Sequence, residues 1–152
     1  MADSRAKGRY GETKVRDKLR ELTGKQWERI PCSGALDAKH GLKGDLYVPD
    51  SPNEYCVEVK NYSEDGIKSS SVFHTRGTLF PWWEQAITQA AKVKKKPLLL
   101  YTFNRGKIYA CVEFTVDAFN KQPKGIVIKG DNGLPPMLIL LLEDFVKGFM
   151  TD

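Results

Sequence analysis

Two runs, Asp45-Leu-Tyr-Val48 and Glu54-Tyr-Cys-Val-Glu-Val-Lys60, separated by Pro49 and Asp50-Ser-Pro-Asn53, decide how this chain folds. In the second run Tyr55, Val57 and Val59 alternate with Cys56, Glu58 and Lys60, the period of a strand. Pro49 and the turn-forming residues after it close the first run, so the pair reads as a hairpin. Glu58 and Lys60 are two apart and share one face of the sheet. Asp45 follows Gly44, where a short strand opens into a loop, and pairing across the turn brings it close to Glu58.

A third carboxylate lies upstream. Residues from about Arg5 to Leu22 read as a helix, with Val15, Leu19 and Leu22 on one stripe and Gly24 as its C-terminal stop. Counting back along that stripe lands on Glu12, so an acid continues the face that turns to the core and needs a partner there. Arg9 or Arg16 would serve at the core edge. Taken together, Glu12, Asp45, Glu58 and Lys60 fit hydrolysis of a phosphodiester. A divalent cation polarises the phosphate and activates water, and hard cations take oxygen ligands. Asp45 and Glu58 would supply two, the Val59 carbonyl a third, and Glu12 would complete the shell or hold a water. Lys60 would orient the water or stabilise charge on the phosphate.

Around this nucleus, Gln26 to Ile30 reads as a short strand and Asn61 to Thr78 as a long loop. Pro81 suits the first turn of a second helix, running to about Lys95 and stopped by Pro97. Leu98 to Phe103, Lys107 to Glu113 and Gly125 to Lys129 read as strands, the last turning at Asp131-Asn-Gly133. An amphipathic helix from roughly Ile139 to Phe149 closes the chain. The order implies an α/β fold with a central mixed β-sheet flanked by helices, as one domain over residues 1–152, with a site at one sheet edge.

Composition narrows the class. The 152 residues are 41% hydrophobic and 28% charged, which excludes a disordered or low-complexity chain. The formal net charge is +5, divided as +2 over residues 1–60, +5 over 61–110 and −2 over 111–152, so the front two thirds suit a polyanion. Cys32, Cys56 and Cys111 lack the close pairing of thiolate metal sites and read as reduced, mostly buried thiols. Met1 to Arg9 has no apolar signal region, and the run Met137 to Leu142 is far short of the ~20 residues of a membrane span. A cytoplasmic protein without membrane attachment is expected.

The order Lys7-Gly-Arg-Tyr-Gly-Glu12, Pro31-Cys-Ser-Gly34, Gly44-Asp45 and Glu58-Val-Lys60 resembles the archaeal-type Holliday junction resolvases of the PD-(D/E)XK nuclease superfamily. Gly44 stands where that family favours Pro. The second helix with Gln85, the strand Leu98 to Phe103 and Leu142-Glu-Asp-Phe-Val146 are similar to its later elements. The resemblance implies a restriction-endonuclease-like core and a homodimeric endonuclease that makes paired nicks in four-way DNA junctions, using Mg²⁺ with Mn²⁺ as a substitute. Carried over by position, Glu12, Asp45 and Glu58 are metal ligands and Lys60 the catalytic lysine. Ser33 falls near the active site, and Arg5, Lys7 and Arg9 meet backbone phosphates. If the source is viral, the compartment is the host cytoplasm. A general repair or restriction-type nuclease and a non-catalytic DNA-binding module are the competing readings.

Other residues suit contact with DNA. Lys39, His40 and Lys43 lie in the loop before Asp45, and Phe73 and Arg76 in the long loop can stack on or wedge into a branched centre. Adjacent helical residues diverge by about 100°, so Trp82 and Trp83 cannot both face the core. Gln85 and Gln89, one turn apart, would line the site's side of the second helix. The apolar segment Met137 to Phe149 caps the sheet or forms a dimer seam.

Overall fold

The computed structural model describes residues 4–31, 43–62, 79–103, 106–121, 124–130 and 133–150. Helix α1 (Ser4–Thr23) precedes β1 (Glu28–Arg29), β2 (Leu46–Tyr47) and β3 (Tyr55–Tyr62). Then come α2 (Leu79–Lys92), β4 (Lys96–Phe103), β5 (Ile108–Glu113), α3 (Val116–Lys121), β6 (Ile126–Ile128), β7 (Met137–Leu141) and α4 (Leu142–Phe145). A π-helical turn over Val146–Met150 follows α4 directly. No helix among the described residues is long and apolar enough to cross a membrane.

The strands form one seven-stranded mixed sheet in the order β1-β2-β3-β4-β5-β7-β6. Only β3 and β4 run parallel, because α2 carries the chain back between them; the other neighbours are antiparallel. Each face has its own core. Val15 and Leu19 of α1 pack with Val57, Val59, Leu98, Leu100 and Phe145 on one side. Trp83 and Ala86 of α2 pack with Leu99, Tyr101, Cys111 and Ile139 on the other. The chain therefore has the α/β architecture expected, with helices on both faces of the sheet.

Local chemistry sets the boundaries. At the end of α1, Gly24 takes φ +72° and donates its N–H to the Arg20 carbonyl at 2.9 Å. Thr23 Oγ1 accepts the Trp27 indole N–H at 3.0 Å, turning the chain into β1. Helix α2 ends at Lys92, short of the expected Lys95, and Pro97 is not what stops it. Lys94 takes φ +54° and the Lys95 N–H closes on the Ala90 carbonyl at 3.0 Å, while Pro97 lies inside β4 opposite Cys56. Strand β3 runs through Asn61, the end expected for it, to Tyr62, and most of the expected loop, residues 63–78, lies outside the described residues.

The expected C-terminal helix is present but starts three residues late, at Leu142, and runs through α4 and the π-helical turn to Met150. Met137–Leu141 is instead a strand, inserted between β5 and β6. A short continuous apolar run buried on both faces has no periodicity to separate strand from helix. Met137, Leu138, Leu142 and Phe145 are fully buried within this chain, so the segment completes the core. Helix α3 was not foreseen; Thr115 Oγ1 caps it by accepting the Ala118 N–H at 2.9 Å.

The adjacent tryptophans part as helical geometry requires. Trp83 is fully buried with its indole N–H on the Pro135 carbonyl at 3.2 Å, and Trp82 is half-buried, tilted against Tyr101. Trp83→Ala is expected to cost about 3–5 kcal/mol in urea unfolding and Trp82→Ala much less. Equal losses would contradict this partition of the two rings.

Candidate active site at the sheet edge

The site is built where β2 stops. The Asp45 backbone is held twice, donating its N–H to the Val57 carbonyl at 2.6 Å and accepting the Ile30 N–H at 2.9 Å. Its side chain replaces the missing next rung: Oδ2 accepts the Val59 N–H at 2.7 Å. In an extended strand the N–H and C=O of one residue point the same way, so the Val59 carbonyl also faces this edge. Gly44 makes the approach possible. It takes φ +93°, and a Cβ there would stand 2.5 Å from the Val57 carbonyl oxygen. Proline, with φ fixed near −65°, cannot occupy that conformation.

The other groups arrive from both faces. Glu58 and Lys60 pair in register with Leu99 and Tyr101, which places them on the α2 face. Glu12 comes from the α1 side, where Gly11 crosses β3 so closely that a Cβ would lie 2.6 Å from Asn61 Cβ. Asp45 is within hydrogen-bonding reach of both Glu12 and Glu58. The partner of Glu12 is Arg29 of β1, whose Nε donates to Oε2 at 2.8 Å; of the two arginines expected there, Arg16 pairs with Asp17 and the side chain of Arg9 lies outside the description. Arg29 carries no signal in the sequence, and its place beside the site follows from the pairing of β1 with β2.

Electrostatics mark this edge as unusual. Burial, the nearby Glu58 and then Glu12 together push the Asp45 carboxyl from 3.8 up to about 8, against the Val59 N–H bond that lowers it. Burial also raises Glu58, and the Lys60 ammonium works against that, with a smaller pull from Lys43. Two crowded acids and a carbonyl are a hard oxygen donor set, and a divalent cation is the charge that would relieve them. No group of three or more His, Cys, Asp and Glu among the described residues is arranged to hold a metal. Asp45, Glu58 and the Val59 carbonyl, completed by water, would suit such a cation.

The remaining candidates divide plainly. Lys43 is drawn in, its carbonyl accepting the Cys56 thiol at 3.3 Å. Arg5, Lys7 and Arg9 belong to the first turns of α1. Ser33, Lys39, His40, Phe73 and Arg76 lie outside the described residues. Gln85 is exposed, while Gln89 is half-buried with its Oε1 lacking a hydrogen-bond partner. Two surface hollows of about 160 and 130 Å³ flank Tyr55 and Phe149 at the other end of β3 and include none of the site's acids.

A family model described as "Phage putative PDDEXK endonuclease" matches residues 3–140. The chain is 45% identical over 108 residues to "Protein D14" of Escherichia phage T5, covering 69% of this chain and 68% of that protein. No solved structure matches.

The acid cluster sets a pH dependence. Between 3.8 and about 8 the folded chain holds on Asp45 a proton that the unfolded chain releases, so metal-free stability falls as pH rises through that window. Thermal melts of Asp45→Asn should show a flatter pH profile and a higher Tm than wild type at about pH 8, the gap closing toward about pH 4. Gly44→Ala is expected to cost about 1–3 kcal/mol from backbone strain alone. Its far-UV spectrum and melt would reveal whether the hairpin survives.

Proposed function

The chain belongs to this phage PDDEXK endonuclease family of the PD-(D/E)XK superfamily, and from that premise we propose that it is a Mg²⁺-dependent endonuclease that nicks branched DNA, four-way junctions foremost. The observation that carries the catalytic part is the convergence of Asp45, Glu58 and Lys60 at the end of β2, with the Val59 N–H fixing one Asp45 oxygen. The bound cation would polarise the scissile phosphate and lower the pKa of an attacking water. Asp45 and Glu58 would hold it, the buried strand β3 keeps Glu58 and Lys60 in fixed register, and the Lys60 ammonium stands beside the charge that builds on phosphate.

Branched-DNA preference rests on the ordered likeness of Lys7 to Glu12, Pro31 to Gly34, Gly44-Asp45 and Glu58 to Lys60 to the junction resolvases. A two-fold substrate of that kind favours action as a homodimer, one site per strand. Mn²⁺ would substitute for Mg²⁺ at such an oxygen site.

The deciding assay incubates the protein with a synthetic four-way junction and a linear duplex of matched sequence, with Mg²⁺ or a chelator. Paired nicks in the junction with the duplex spared are expected; equal cutting of both would move the reading to a general repair or restriction-type nuclease. Asp45→Asn, Glu58→Gln and Lys60→Ala should each lower the cleavage rate by at least about 100-fold. Asp45→Asn should still bind junction DNA as well as wild type or better, since a negative charge near phosphate is removed. Wild-type cleavage by Asp45→Asn would overturn the site.

A further inference from the structure

We propose that Glu12 and Arg29 form a clamp for a phosphodiester oxygen of the DNA, in which Glu12 positions Arg29 instead of ligating the metal. The proposal rests on the reading of this edge as a nuclease centre and assigns one of its acids a different task.

Arg29 is anchored next to the chemistry by backbone and side chain alike. It pairs with Leu46 across the β1–β2 ladder, and the Ile30 N–H bonds the Asp45 carbonyl at 2.9 Å. Its guanidinium is therefore one rung from the proposed metal ligands. The side chain is held only through Nε, at 2.8 Å from Glu12 Oε2. A guanidinium carries five N–H donors in a rigid planar fork, four of them on the terminal nitrogens. Those nitrogens make no hydrogen bond or ion pair with any other described residue, and the side chain is 34% exposed. A cation oriented through Nε, with its terminal edge open beside two metal-binding acids, presents the fork that matches two oxygens of a phosphate.

Glu12 fits the complementary role. Its side chain is only 20% exposed and pairs with Arg29 while also lying against Asp45, so its charge is balanced by a cation that the fold supplies. Asp45 has no such ion pair among the described residues, and Glu58 faces the Lys60 and Lys43 charges without the close ion pair that Glu12 makes. A surface ion pair serving stability alone would contribute little and would not register in DNA binding.

The experiment measures two quantities on the full chain that do not depend on cleavage. DNA affinity is read by fluorescence anisotropy with a labelled four-way junction in Ca²⁺ over a range of salt. Mn²⁺ affinity of the DNA-free protein is read by calorimetry. Arg29→Ala should make the slope of log affinity against log salt shallower by about 0.9, one phosphate contact, and Arg29→Lys should restore it. Glu12→Gln should keep Mn²⁺ affinity within about threefold of wild type, whereas Asp45→Asn should lose at least about 100-fold. In cleavage, Glu12→Gln combined with Arg29→Ala should be no slower than Arg29→Ala alone, because the two act as a unit. An unchanged salt slope in Arg29→Ala, or loss of Mn²⁺ binding in Glu12→Gln equal to that in Asp45→Asn, would overturn the clamp. If wild type cuts no DNA, the nuclease reading falls, while the salt slope and Mn²⁺ binding still judge the clamp separately.

Discussion

The hydrogen bond from the Val59 N–H to Asp45 Oδ2, 2.7 Å long, is the contact on which the functional edge depends. A two-residue strand such as β2 offers few ladder bonds of its own. Asp45 extends that ladder with a side chain, and Gly44 permits the close approach by giving up a Cβ and accepting φ +93°. Once this bond fixes Asp45, the register of β3 fixes Glu58 and Lys60, because side chains two apart on a strand share a face. Placement of the acids is thus a consequence of strand pairing, with no separate scaffold.

The same arrangement sets folding against function. Burying one carboxylate beside another costs stability, and the molecule answers by protonation, as the rise of Asp45 to about 8 shows. A chain selected only for stability would place a neutral group there. The two apolar cores, one under α1 and one under α2, are what allow β3 to carry this strain without shifting register. Their largest buried side chains, Trp83, Tyr101 and Phe145, lie on strands and helices adjoining β3 or β4.

The strands and helices that build the site were legible because their signals are local. Alternation marks β3, the Val15–Leu19 stripe marks α1, and glycine and proline mark the turns. Where the sequence misled, the deciding force was tertiary. The run Met137 to Leu141 is a strand because β5 and β6 flank it on both sides, which no periodicity records. The misplaced end of α2 follows the same logic: Lys94 closes the helix by backbone conformation, while the visible breaker, Pro97, sits harmlessly near the start of β4. Among the site residues, Glu12 announced itself as a carboxylate out of place, but Arg29 is an unremarkable residue of a two-residue strand and gains meaning only from the 2.8 Å contact across 17 positions.

Charge at this edge must change sign of effect as the site assembles. On the proposed reading, and without a cation, Asp45 and Glu58 would oppose a phosphate that Lys60, Lys43 and Arg29 would attract. On that reading a bound cation would offset the charge of the two acids, so metal and polyanion would each raise the affinity for the other. The coupling is strongest for groups that are buried and weakest for those in solvent, where salt screens them. That ordering assigns different work to the acids at the sheet edge and to Arg5, Lys7 and Arg9 in the first turns of α1. On the proposed reading the buried acids would govern the chemistry, and the cations of α1 would add affinity for the polyanion.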